Sequence, residues 1–351
     1  MATSIATDYA DYTDLNSFHD LYKMNGEQLR DRIFSVTEKD FDSLALDIFR
    51  FQFDHNPVYA AFVKGIGRTP DQVNDISEIP FLPVELFKTH KIYAADKEPE
   101  IVFTSSGTTG QVTSRHEVAD VSLYTNSFLK AFNNFYGPVS EWNVLALLPS
   151  YLERDGSSLV FMANTLIDES KKEDSGFYLH NYEALSEKLT ALNDGGEKIL
   201  LLGVTYALLD LAEKFPRRLE NCIIMETGGM KGKRKEMVRE EVHSILKNTF
   251  GANEIHSEYG MTELLSQAYS KGNGIFNCPP WMKIKIHEMN DPLSYAATGK
   301  TGGVNIIDLA NLYSCSFIST SDLGKLYENG SFEILGRFDN SDVRGCNLMV
   351  E

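Results

Sequence analysis

From about residue 100 onward, short apolar runs alternate with longer stretches of helical period, and this alternation restricts the fold more than any other feature. The runs at 101–103, 144–148, 199–202, 223–225 and 304–307 are rich in Ile, Val and Leu, the pattern of strands buried on both faces. Between them, residues 121–136, 206–214 and 235–250 read as helices, the last with Val238, Val242, Ile245 and Leu246 as its apolar stripe. Strand alternating with helix predicts an α/β fold with a largely parallel sheet.

The first hundred residues follow a different rule. Phe41, Leu44, Ala45, Ile48, Phe49 and Gln52 recur at helical spacing, and residues 15–36 are amphipathic in a noisier way. Pro80 and Pro83 then force an extended path through Ile79-Pro80-Phe81-Leu82-Pro83-Val84. No repeat, low-complexity tract or Pro/Gly/Ser linker divides the chain. The expected organisation is one continuous domain: a helical part over 1–100, an α/β core over 101–335 and a tail over 336–351.

Charge and cysteine usage exclude several functions. Lys and Arg total 33 against 50 Asp and Glu, a net charge of −17 that repels nucleic-acid backbones. No apolar run approaches the ~20 residues of a membrane-spanning helix. The N-terminal residues carry neither the basic start nor the apolar stretch of a signal peptide, so the expected location is the cytoplasm. Cys222, Cys278, Cys315 and Cys346 are scattered, and no CxxC or HExxH pattern occurs. Neither a structural zinc site nor a disulfide framework is expected.

Four segments carry chemistry. Thr104, Ser105, Ser106, Gly107, Thr108, Thr109 and Gly110 follow the run Ile101-Val102-Phe103 directly. Hydroxyls and glycines after a strand suit an anion-binding loop, since glycine lets backbone N–H groups approach a phosphate and Ser/Thr hydroxyls donate further bonds. The loop lacks a Walker lysine. In Ser257-Glu258-Tyr259-Gly260-Met261-Thr262-Glu263 the Tyr259 ring can stack on a base, and Glu263 can hold a hard cation such as Mg²⁺. In Ser319-Thr320-Ser321-Asp322-Leu323-Gly324, Asp322 at a strand end can accept hydrogen bonds from ribose hydroxyls. In Gly336-Arg337-Phe338-Asp339, Arg337 can neutralise a phosphate.

In this order the four segments resemble the motif series of the adenylate-forming enzymes, which include acyl-CoA synthetases, luciferases and peptide-synthetase adenylation domains. The segment Ile79-Pro80-Phe81-Leu82-Pro83-Val84-Glu85-Leu86-Phe87-Lys88, the segment Pro149-Ser150-Tyr151-Leu152-Glu153-Arg154 and the ending Arg344-Gly345-Cys346-Asn347-Leu348-Met349-Val350-Glu351 are similar to the acyl-protein synthetases of bacterial bioluminescence. The resemblance implies the α/β catalytic core of the adenylate-forming fold. It also implies that the mobile C-terminal domain of the acyl-CoA synthetases, with its catalytic lysine, is not part of this chain. Val112-Thr113-Ser114-Arg115 stands where the common loop has Pro-Lys, which leaves Arg115 or Lys88 to supply the cation.

The activity implied is ATP-dependent activation of a carboxylic acid, expected to be a fatty acid, to an acyl-adenylate. By the same resemblance, the loop over 104–110 would hold the β- and γ-phosphates. Tyr259 would lie beside adenine, with Gly228, Gly229 and Met230 on its other side and Gly260 and Met261 adjoining. Thr262 and Glu263 would bind phosphates and Mg²⁺, Asp322 the ribose, and Arg337 the ribose or a phosphate oxygen. Cys346, with Arg344 nearby to favour its thiolate, would receive the acyl group and pass it to a partner reductase or carrier protein. Two alternatives stay open: transfer to coenzyme A or a carrier without Cys346, and a non-catalytic nucleotide-binding subunit.

Overall fold

The structure, a computed structural model, describes residues 24–105, 112–149, 156–228, 234–235 and 237–338. Among them, the strands following the first hundred residues are built much as the apolar runs predict. β4 (Asn143–Leu147), β6 (Ile199–Val204), β7 (Cys222–Thr227) and β8 (His256–Tyr259) lie side by side and parallel, with β5 (Gly176–Tyr178) beyond β4. β4 and β6 are buried along their whole length, as uninterrupted apolar strands must be.

The sheet does not stay parallel. β9 (Ala268–Ser270) turns back against β8, and β10 (Ile275–Asn277) pairs antiparallel with it. β11 (Met282–Glu288), β12 (Asp291–Tyr295), β13 (Thr301–Asp308), β14 (Phe317–Leu326) and β15 (Phe332–Arg337) continue antiparallel, in the order β12-β11-β13-β14-β15-β10-β9-β8-β7-β6-β4-β5. The expectation of a largely parallel sheet therefore holds only for the first half. After residue 251 the connections are too short to carry crossover helices, so each strand can only fold back on its neighbour. The run at 304–307 is one of these antiparallel strands. The run at 101–103 lies outside the large sheet, in β2 (Ile101–Thr104), which pairs with β3 (Arg115–Val118) as a separate hairpin.

The helix Val121–Tyr136 has the predicted bounds. Asp120 caps it by accepting from the Ser122 amide, and Gly137 ends it at φ 82°. The helix Thr205–Lys214 also stands as expected. The third begins later than its pattern suggests, at Arg239 instead of 235. Val238 is its extended N-cap residue and is 66% exposed, and Ile245 also faces outward, so Val242, His243, Leu246 and Phe250 form the buried stripe.

The N-terminal helix Phe41–His55 buries the six residues singled out from its spacing, Gln52 included. Gln52 Nε2 donates to the carbonyls of Asn311 (3.0 Å) and Leu312 (2.8 Å) and to Ser316 Oγ (3.0 Å), and its Oε1 accepts from the Ser316 amide (2.9 Å). That polar plug ties the helix to the turn leading into β14. The segment with two prolines is extended, as expected: β1 (Leu82–Pro83) pairs parallel with β14. No helix among the described residues is long and apolar enough to cross a membrane.

Candidate functional site

The carboxyl ends of β6, β7 and β8 open into a cleft of about 1020 Å³. Parallel strands end here with their backbone groups unpaired, which is where α/β sheets commonly bind ligands. Thr104 and Ser105, Gly228, Tyr259, Gly260, Met261, Thr262 and Glu263, Asp322 and Arg337 all line it. Residues separated by more than two hundred positions thus converge on one cavity. Ser106, Gly107, Thr108, Thr109, Gly110, Gly229, Met230, Arg344 and Cys346 lie outside the described residues.

The hydroxyl-rich loop is anchored at both described ends. The Ser105 amide donates to the Ser114 carbonyl (3.1 Å), and the Ser114 amide donates to Ser105 Oγ (2.8 Å). The Thr104 amide donates to the carbonyl of Gly156 (2.8 Å). The Ser114 hydroxyl in turn bonds Glu263, whose carboxyl burial pushes above its ordinary pKa; that bond, Arg337 and Lys88 oppose the shift. Ser105, Ser114 and Glu263 are thus joined by hydrogen bonds.

A second set of bonds fixes the backbone of Thr262 and Glu263. His116, on β3, is fully buried with Nδ1 2.8 Å from the Thr262 carbonyl and Nε2 3.0 Å from Asn311 Oδ1. Burial lowers its pKa to about 4. Asn311 Nδ2 donates to the Glu263 carbonyl (2.8 Å).

Asp322 lies in the interior of β14, not at a strand end as its sequence context suggested. The strand carries on through the Ser/Thr segment because β13 and β15 flank it on both sides, and the register shift after Leu323 absorbs the irregularity. Asp322 Oδ2 accepts from the Tyr259 hydroxyl (2.7 Å) and Oδ1 from Arg337 Nε (3.1 Å), its register partner on β15. Arg337 also lines the cleft, and its side chain is 78% exposed. The Tyr259 ring meets Phe276 edge-on at 5.9 Å and Phe332 at 5.8 Å. This packing and the bond to Asp322 fix the ring's position.

Of the two cations proposed for the loop, Lys88 lines the cleft. Arg115 does not: it is 60% exposed and pairs with Glu117 at 3.5 Å. Arg115 is the exposed first residue of β3, whose remaining residues are buried.

Several cleft residues gave no clear sequence signal. Glu226, next to last in the apolar β7, accepts from Thr205 Oγ1 and Ser257 Oγ at 2.8 Å each, with His243 Nε2 at 3.5 Å. Burial alone would raise its pKa, but these neighbours outweigh it and the carboxyl stays below its ordinary value. Glu258, one residue before Tyr259, takes a hydrogen bond from the Thr227 hydroxyl. Burial, helped by the nearby Glu226 charge, raises its pKa to about 7 against the Thr227 bond. A Cβ at Gly260 would sit 2.5 Å from Glu258 Oε1, so a larger residue there would displace that carboxyl. An acid closing an apolar strand just before Thr-Gly-Gly was the available hint for Glu226.

Comparison with known proteins fits this geometry. The long-chain-fatty-acid–luciferin-component ligase of Aliivibrio fischeri is 22% identical over 373 residues, covering 95% of this chain and 97% of the relative. The ligase of the same description from Vibrio harveyi is 22% identical over 327 residues, covering 86% and 85%. An open conformation of 2-hydroxyisobutyryl-CoA ligase superposes with a TM-score of 0.62 at 11% identity, over 88% of this chain and 77% of that one. The chain has the fold of these ligases and is similar in sequence to the luciferin-component ligases over most of its length. ATP-bound MatB from Rhodopseudomonas palustris gives a TM-score of 0.52 at 16% identity over 67% of this chain, which spans 47% of MatB, about half its length. No family model matches the chain. The fold expected from the order of the four motifs is thus the fold observed.

Proposed function

We propose that the chain activates a carboxylic acid with ATP and transfers the acyl group to a protein thiol. The observation that carries this reading is the convergence of Thr104, Ser105, Lys88, Tyr259, Thr262, Glu263, Asp322 and Arg337 on one cleft, with Asp322 held between Tyr259 and Arg337. In the first step a carboxylate oxygen attacks the α-phosphorus of ATP and pyrophosphate leaves. Such a reaction depends on positioning and charge neutralisation more than on covalent help from the protein.

The residues divide the work by position. The hydroxyl loop receives the β- and γ-phosphates, with Lys88 and Arg337 neutralising charge. Asp322 has lone pairs left over for ribose hydroxyls after accepting from Tyr259 and Arg337. Tyr259, Gly260 and Met261 form one wall for the adenine, and Gly228 forms the other at φ 70°, a left-handed conformation suited to glycine. Thr262 and Glu263 face the phosphates. No group of three His, Cys, Asp or Glu side chains able to hold a metal occurs among the described residues. A single carboxylate such as Glu263 suits Mg²⁺, which commonly completes its shell with substrate phosphate oxygens and water.

The second step attaches the acyl group to sulfur. A thiolate attacks the acyl carbonyl carbon, a thioester forms and AMP leaves. Cys346 is our choice for that thiol, and a reductase or carrier protein is our choice for the eventual acceptor. The support is the similarity to the luciferin-component ligases over nearly their whole length. Carboxylate-dependent exchange of labelled pyrophosphate into ATP tests the first step, and absence of exchange across acids of all chain lengths sinks it. Hydroxylamine-sensitive label on the protein, lost in Cys346→Ser, tests the second. Label retained in that variant moves the acceptor elsewhere, and label appearing only on coenzyme A removes self-acylation.

A further inference from the structure

The hydroxyl loop belongs to a piece of the chain that the large sheet does not hold. It runs between β2 and β3, and these two strands pair only with each other. No sheet ladder therefore fixes the loop relative to Thr262 and Glu263, which follow β8, or to Lys88, which ends the short 3-10 turn Val84–Lys88. Yet Thr104, Ser105, Lys88, Thr262 and Glu263 all line one cleft. Their register has to come from side chains.

His116 meets all three pieces. It is the second residue of β3 and is fully buried. Its Nδ1 lies 2.8 Å from the Thr262 carbonyl oxygen. Its Nε2 lies 3.0 Å from Oδ1 of Asn311, whose Nδ2 donates to the carbonyls of Glu263 (2.8 Å) and Cys315 (2.9 Å). Those two carbonyls fix which end of the Asn311 amide faces the ring. The Thr262 oxygen and Asn311 Oδ1 both only accept, so the ring donates to one of them in either neutral tautomer. The ring also meets the buried Phe87, next to Lys88, at 5.7 Å between centroids and 88° between planes. Two residues before His116, the Ser114 hydroxyl bonds the Glu263 carboxyl. Tyr259, Asp322 and Arg337 are joined by a set of bonds of their own.

Building on the activation reading above, we propose that His116 is a positioning residue for the β- and γ-phosphate end of the nucleotide site, setting the hydroxyl loop, Lys88 and the Thr262–Glu263 backbone in one register. It acts through the Thr262 carbonyl, through Asn311 to the Glu263 carbonyl, and through Phe87. Displacing a group that positions substrate by about 1 Å costs on the order of 100-fold. Removing the ring should therefore weaken the hold on the outer phosphates of ATP. AMP lacks those phosphates and relies on Tyr259 and Asp322, so its binding should persist.

The test compares His116→Leu, His116→Asn and His116→Gln by calorimetric titration with MgATP and with AMP, and by pyrophosphate exchange. Asparagine carries its amide where Nδ1 stands and glutamine where Nε2 stands, so each keeps one donor. His116→Leu should bind MgATP about tenfold more weakly, hold AMP within twofold, and lose roughly 10- to 100-fold in kcat/KM for ATP in exchange. One amide variant should stay near the wild type while the other falls with His116→Leu, since the ring donates to one acceptor. Leu189→Ala, a buried change on the helix Tyr182–Asp194, supplies a destabilised control whose MgATP-to-AMP affinity ratio should be unchanged. An unchanged ratio in all three His116 variants, equal losses for MgATP and AMP, or two amide variants that behave alike would overturn the role of His116 and leave acid activation standing. A wild type that exchanges with no acid overturns acid activation, and the affinity ratios still decide the role of His116. The contrast between the two amide variants holds even if His116→Leu fails to fold.

Discussion

Glu258→Gln isolates the cost of an ionisable group in the cleft wall. The wild-type carboxyl is buried, with the Glu226 charge nearby, and its pKa rises from an ordinary 4.5 to about 7 in the folded chain. In the unfolded chain it titrates near its ordinary value. Between those two values the folded state holds the proton more tightly, so stability falls as pH rises through this window. The difference of about 2.5 pKa units corresponds to roughly 3 kcal/mol. Glutamine keeps an oxygen to accept from Thr227 Oγ1 and cannot ionise, so the variant escapes the loss. Urea unfolding of both proteins should give similar stabilities at pH 5. At pH 8 the variant should be more stable by about 3 kcal/mol, or roughly 4 °C in melting temperature for a chain of this size. Other titrating groups cancel in the difference. Curves that run parallel from pH 5 to pH 8 would mean the carboxyl is solvated in the folded protein, and the argument for a buried Glu258 would fail.

Three further outcomes follow from the cleft and its supports. Lys88→Ala should raise the KM for ATP in pyrophosphate exchange by about tenfold, as expected for a lost charge-assisted phosphate contact, while Arg115→Ala should leave it unchanged; equal effects would refute the placement of Lys88 alone in the cleft. Tyr259→Phe removes the donor to Asp322 Oδ2 and should lower the melting temperature by roughly 2–4 °C, since a hydrogen bond to a charged group contributes roughly 1.5–3 kcal/mol, and should lower kcat/KM for ATP by about tenfold as Asp322 loses its anchor. Gln52→Leu strips the amide from the carbonyls of Asn311 and Leu312 and should cost roughly 3 kcal/mol, read as a lower urea midpoint at unchanged slope; a neutral result would show that water replaces the amide.

The sequence alone determined the class of fold and most of the cleft's membership. Apolar runs separated by helical stretches dictate buried strands with helices between them, and the bounds of Val121–Tyr136 follow from Asp120 and Gly137 at its ends. Residue types that make poor cores and poor helices, such as the hydroxyl loop and Tyr-Gly-Met-Thr-Glu, marked the cleft because nothing else explains them there. Tertiary structure decided what periodicity does not carry. Whether a strand runs parallel or antiparallel depends on the length of the connection and the partner it meets, so the second half of the sheet reversed the expectation. Asp322 looked like a strand-end residue because its neighbours are small and polar, yet pairing on both sides keeps β14 going through it. The choice of Lys88 over Arg115 rests on which side chain the fold brings to the cleft. Glu258 acquired meaning only in the folded chain, where it is buried and takes a bond from Thr227, because burial and pairing belong to the assembled chain and not to any one residue.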